Sequence, residues 1–154
     1  MSYGHYDVYL TYNGKHACKS FALDLDSALR QAGLNVYLNH DNLMARGDYT
    51  VTDTNFSEIE GSRTCIIIFS INFDASTGFL QELEKILERR KTRGLTVVPV
   101  FYDVDRSELR HQEGVFARKS WFSEDKAMRY RAALIEVANI MPGFRVWDSM
   151  WDFR

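Results

Sequence analysis

Two short runs, Cys65 to Phe69 and Thr96 to Tyr102, are almost unbroken in apolar, largely β-branched or aromatic residues. Strands that read this way are covered on both faces, which happens when helices pack above and below a parallel sheet. Neither run approaches the length of a membrane span. Three more β-rich segments, Tyr6 to Leu10, Leu34 to Leu38 and Phe144 to Trp147, share the chain with them. Stretches of helical period lie between. Phe21, Leu25, Ala28, Leu29 and Ala32 fall on one stripe, with Gly33 as its stop. Phe79, Leu80, Leu83, Ile86 and Leu87 make a second stripe. Tyr130, Leu134, Val137, Ala138 and Met141 make a third, ended by Pro142 and Gly143. A weaker helix is expected from about Val51 to Gly61, with Phe56 and Ile59 inward. The polar segment from Asp103 to Ser123 reads as a loop with short helical pieces.

Strand and helix in alternation imply right-handed crossovers. The expectation is an α/β, flavodoxin-like three-layer sandwich, a five-stranded parallel sheet of order 2-1-3-4-5 with helices on both faces. No linker, repeat or low-complexity stretch divides the 154 residues, so one domain over 1–154 is expected, with its core at about 5–147. Sheets of this kind bind ligands beyond the carboxyl ends of their strands. That directs attention to Thr11 to Lys19, Asn39 to Thr50, Ser70 to Gly78, and Asp103 onward.

Composition narrows the chemistry. A net charge of -2 gives no basic excess for a phosphate-backbone binder, so no strong nucleic-acid signal is present. Cys18 and Cys65 lack metal-ligand spacing, and His16, His40 and His111 have no acidic or cysteine partners at such spacing, so no metal is expected. Cys65 reads as a buried small hydrophobe. The absence of a signal-like apolar segment leads to the expectation of no membrane and a cytoplasmic or nucleo-cytoplasmic location. Trp121, Trp147 and Trp151 read as core or late packing residues rather than stacking platforms. The first and third strands are followed by Thr11-Tyr12-Asn13-Gly14 and Ser70-Ile71-Asn72, without the carboxylates of a phosphorylation receiver. The first loop is a weak match to a flavodoxin phosphate loop, and no Gly-x-Ser-x-Gly turn is present.

Seven segments in order resemble the plant type of Toll/interleukin-1 receptor-like (TIR) domain. This is the domain of nucleotide-binding leucine-rich-repeat immune receptors and of short TIR proteins. Tyr6 to Gly14 is similar to the family's YDVFLSFRG, and Ala28 to Leu34 to the end of its first helix. Leu43 to Asp48 resembles its LxRG(D/E) loop, and Ile59 to Ser70 its IEESR-IxIIVFS. Glu82 to Glu88 resembles ELVKILE, Val98 to Asp105 the VIPVFYDVDPS strand, and Ala132 to Asn139 the final helix.

The resemblance implies self-association and, in the assembled state, hydrolysis of NAD+ at the nicotinamide-ribose bond to trigger defence and cell death. NAD+ or NADP+ would be the substrate, with no resident cofactor. Other TIR domains would be the partners, in homo- or hetero-association. The family's SxWCLxEL motif maps onto Ser76 to Leu83, so Glu82 is the implied catalytic residue. A carboxylate suits the chemistry, because an anion can stabilise an oxocarbenium-like ribosyl centre or hold the ribose hydroxyls. By the same resemblance, substrate binding falls to Tyr12, Asn13, Gly14, Arg46, Ser76 and Gly78, and a domain interface to Leu23 and Asp24.

The residues alone also allow plainer readings. On a helical wheel Glu82 lies beside Ile86 at the margin of the apolar stripe, where a solvated glutamate paired with Lys85 is ordinary. Arg46 and Gly47 could be an exposed loop pair, and Gly14 a tight turn. Several family positions also differ here. Asn13 replaces an arginine, Gly78 a tryptophan, and Phe79 a cysteine. Leu23 and Asp24 replace a Ser-His pair, and Arg106 a proline. These departures keep open a second expectation, a non-catalytic interaction or decoy module acting by hetero-association with other TIR domains.

Overall fold

A computed structural model describes residues 5–13, 17–39, 53–71, 73 and 77–147. The elements run β1 (Tyr6–Asn13), α1 (Ala17–Gln31), β2 (Val36–Asn39), α2 (Asp53–Glu60), β3 (Ser62–Ser70), α3 (Thr77–Arg93), β4 (Thr96–Tyr102), α4 (Arg106–Arg110), α5 (Glu124–Ala138) and β5 (Phe144–Val146). A 3-10 turn, Gly114–Phe116, lies between α4 and α5. The five strands pair in parallel in the order β2-β1-β3-β4-β5, as expected.

Strand alternation divides the core between the two faces of the sheet. Tyr9 of β1 and Cys65, Ile67 and Phe69 of β3 point to the side covered by α2, α3 and α5. Val8, Leu10, Ile68, Val100 and Tyr102 point to the other side, under α1. Phe69 anchors a set of rings from Phe73, Phe79, Phe101 and Phe116, with centroids 6.0 to 6.3 Å from its own. Offset and edge-on pairs of this kind each add about 0.5–1.5 kcal/mol beyond the area they bury.

The α3 stripe is buried as expected, all five residues of it. The first stripe is rotated. Cys18 and Ala22 are buried, and Phe21, Leu25 and Leu29 pack behind them. Ala28 and Ala32 are exposed, because small side chains carry little weight in setting which helix face turns inward. On the last stripe, Ile140 rather than Met141 reaches the core, since the chain leaves the helix after Ala138. Trp121 is 69% exposed and Trp147 half-buried beneath the Arg145 guanidinium, so neither is a core residue. Trp151 lies outside the described residues.

The Arg106 departure acquires a structural meaning. Its Nη1 donates to the Ala138 and Ile140 carbonyls, both at 2.7 Å, where α5 ends. Its guanidinium also lies 5.0 Å from the Phe101 ring centroid. A cation at a helix carboxyl end satisfies orphan carbonyls and opposes the negative end of the helix dipole.

Candidate functional site

β1 and β2 run side by side with Thr11 opposite Asn39, and β3 sets Cys65 opposite Tyr9. Alternation turns Tyr9 and Thr11 to the α3 side of the sheet. A polar patch therefore interrupts an otherwise apolar face near the carboxyl ends of β1 and β2. Glu82, in the second turn of α3, comes down onto this patch.

The plain reading of Glu82 does not hold. Its residue is 2% exposed, and Lys85 bonds instead with Glu60 at 2.9 Å and lies 3.6 Å from Glu88. The carboxyl accepts a hydrogen bond from Tyr9 Oη at 2.6 Å and another from Asn39 Nδ2 at 2.7 Å. Both reach the same oxygen, Oε2. Among the described residues no lysine or arginine forms an ion pair with it.

Burial in this dry setting raises the Glu82 pKa above the ordinary carboxylate value. The Tyr9 and Asn39 donors oppose that rise. Thr11 acts in the same sense, its hydroxyl close enough to favour the charged form but without a well-formed hydrogen bond. The influence is mutual. Burial first, and then the neighbouring Glu82 carboxyl, push the Tyr9 phenol and the Cys65 thiol well up. Thr11 Oγ1 and Asn39 Oδ1 are buried and unpartnered among the described residues. Unpaired buried polar atoms beside a carboxyl suit an additional polar occupant, a water or a ligand hydroxyl.

The structure sorts the other expected residues. Asn13, two residues beyond Thr11 on the same strand face, is buried. Gly78 is buried one helical turn before Glu82 on α3. Tyr12 points the opposite way, into the α1 side of the core, and is not brought to Glu82. Gly14, Arg46 and Ser76 lie outside the described residues. Leu23 is 40% exposed and Asp24 is also exposed, both on the outward side of α1. Thr11 and Asn39 head two of the strand-end segments marked from sequence but were given no role there, and Tyr9 was not singled out, although the alternation Tyr9-Thr11-Asn13 is a signal that could have marked it.

Comparison with known proteins gives this geometry a family. The TIR domain family profile matches residues 5–152. The chain is 36% identical over 153 residues to Disease resistance protein RPV1 of Vitis rotundifolia, covering 96% of this chain and 10% of that protein. It is 34% identical over 142 residues to TMV resistance protein N of Nicotiana glutinosa, covering 88% and 12%. The chain thus spans about a tenth of the length of these relatives. Among solved structures it is similar to the TIR domains of the activated Roq1 resistosome directly recognizing the pathogen effector XopQ. That match has 37% identity and a TM-score of 0.75, and covers 91% of this chain and 87% of that one. With the profile spanning nearly all of the sequence and the strand order agreeing, this chain belongs to the TIR domain family.

Proposed function

We propose that this domain signals in plant disease resistance by self-associating and hydrolysing NAD+ at the nicotinamide-ribose bond, with Glu82 as the catalytic carboxylate. The observation that carries the reading is a buried carboxyl, without a counter-cation among the described residues, at the carboxyl ends of the strands. A buried carboxyl without a counter-cation lowers stability, and such groups at strand carboxyl ends favour a chemical use. Its chemistry fits bond cleavage. As the nicotinamide leaves, positive charge grows on the ribosyl carbon, and an anion held in a low-dielectric pocket stabilises that charge more than the neutral ground state. Water then completes the hydrolysis. The similarity to a resistosome TIR domain supports assembly as the active condition.

Release of nicotinamide from NAD+, followed by chromatography as protein concentration rises, tests this reading. Release per protein should increase with concentration and fall at least a hundredfold on Glu82→Ala, in the range usual for removing one transition-state partner. Full activity in Glu82→Ala would remove Glu82 from the role. Glu84→Ala is the control on the same helix. Glu84 makes a bidentate pair with Arg129 at 2.6 and 3.0 Å on the exposed side, and its loss should leave release unchanged.

A second reading, a non-catalytic partner for other TIR domains, is favoured by Gly78, which leaves no indole beside the site, and by exposed Leu23 and Asp24 on α1. Absence of nicotinamide release at every concentration, together with complex formation with a second TIR domain, would select it.

A further inference from the structure

We infer that Tyr9 and Asn39 are positioning residues for Glu82: two donors from adjacent strands grip one carboxyl oxygen, Oε2, and so present the other, Oε1, as the oxygen that acts. This rests on the reading of Glu82 as the reacting carboxylate.

The geometry is specific. Tyr9 and Asn39 come from neighbouring strands and meet at a single oxygen, 2.6 and 2.7 Å away. Neither donor reaches Oε1, Thr11 Oγ1 stands near the carboxyl without a well-formed hydrogen bond, and Asn39 Oδ1 is buried in the same patch and unpartnered among the described residues. A carboxyl on a helix can turn about its last torsion, which is broad. Two donors on one oxygen restrict that rotation. The Tyr9 ring is itself fixed, stacked on Tyr37 with centroids 5.4 Å apart and planes 16° from parallel. Tyr9 also stands where the family motif YDVFLSFRG has phenylalanine, which carries no hydroxyl.

Among the described residues the groups facing Glu82 are few. β1 offers the Tyr9 phenol and the Thr11 hydroxyl, and β3 the Cys65 thiol. β2 offers neutral Asn39, with Tyr37 against Tyr9. α2 offers the apolar Ile59, while its Glu60 is engaged by Lys85 of α3. Tyr9 and Cys65 remain protonated at neutral pH, so the two donors are the main counterweight to burial for an ionised Glu82.

The test uses the full chain labelled at glutamate Cδ, with the Glu82 resonance identified by its loss in Glu82→Gln. Tyr9→Phe removes only the hydroxyl, and Asn39→Leu keeps the shape while removing the donor. Tyr130→Phe is the control, since Tyr130 is a buried phenol bonded to the Phe116 carbonyl at 2.7 Å rather than to Glu82. Folding of each variant is checked by circular dichroism, and Asn39→Leu decides if Tyr9→Phe does not fold. In Tyr9→Phe and Asn39→Leu the Glu82 midpoint is expected to move up by about one pH unit, the size of a lost hydrogen bond to a charged group. The acid limb of nicotinamide release should move with it, kcat should fall more than KM changes, and Tyr130→Phe should move neither. Midpoints that stay in place in an active protein, or midpoints that move while the acid limb stays, would overturn the positioning role alone. A wild type that releases no nicotinamide would remove the reading of Glu82 as the reacting group, and the role with it.

Discussion

At the scale of single residues, Glu82 departs furthest from what its type ordinarily does. Its neighbours on the helix wheel made a surface glutamate plausible, yet the carboxyl is enclosed between α3 and the β1–β2 edge. The raised pKa has a definite consequence for stability. Between the ordinary carboxylate value and the raised folded value, the folded protein holds a proton that the unfolded chain has released. Stability therefore falls as pH rises through that window, and the cost of burying the charge is complete above it. Glu82→Gln removes the charge. Its amide oxygen can accept from both Tyr9 and Asn39, and its amide nitrogen can donate to the orphaned Thr11 hydroxyl. The variant is expected to be more stable than the wild type at pH 7.5 by about 0.5–2 kcal/mol. That is roughly 1–8 °C in Tm for a domain of this size. The advantage should shrink as pH falls towards the ordinary carboxylate value. A Tm difference that is flat from pH 4.5 to 8, or of opposite sign, would contradict this account of the site.

The elements differ in how far they could be read in advance. β3 and β4 were legible because strands buried on both faces are apolar at nearly every position, and α3 because its large side chains leave one possible inward face. α1 was only partly legible: Phe21, Leu25 and Leu29 pack inward as expected, but the alanines of the stripe, Ala28 and Ala32, face water while Cys18 and Ala22 are buried. The Tyr9–Asn39–Glu82 contact spans three elements. It depends on the Thr11–Asn39 register and on the seating of α3, neither of which a local pattern contains. Arg106 likewise showed in sequence only as the replacement of a family proline, whereas it bonds the carbonyls at the carboxyl end of α5 and lies against the Phe101 ring of β4. Arg106→Ala should lower stability by about 1.5–3 kcal/mol, the scale of hydrogen bonds from a charged donor. Gly143 lies against this guanidinium, and a Cβ there would meet Arg106 Nη2 and crowd the Pro99 carbonyl. Gly143→Ala should therefore weaken the same junction, and in the Arg106→Ala background its further effect should be smaller than alone. Additive losses in thermal unfolding would show the two positions to be independent.

For the whole molecule, the fold and family were legible from the order of seven segments, while the interface at Leu23 and Asp24 rests on the family resemblance alone. Leu23 and Asp24 are exposed on α1, on the side of that helix away from the sheet. If this face meets its own copy, two Asp24 carboxylates approach one another and oppose association. Asp24→Asn is then expected to shift sedimentation towards the associated form at a given concentration and to raise nicotinamide release in parallel. Unchanged sedimentation would place the self-association surface elsewhere. The most direct test of Glu82-dependent cleavage compares wild type and Glu82→Gln at equal, high concentration, with thermal unfolding recorded on the same samples. Nicotinamide release should be lost in Glu82→Gln although that protein is the more stable of the two. Release that persists undiminished in the folded variant, or is absent from the wild type, would contradict it.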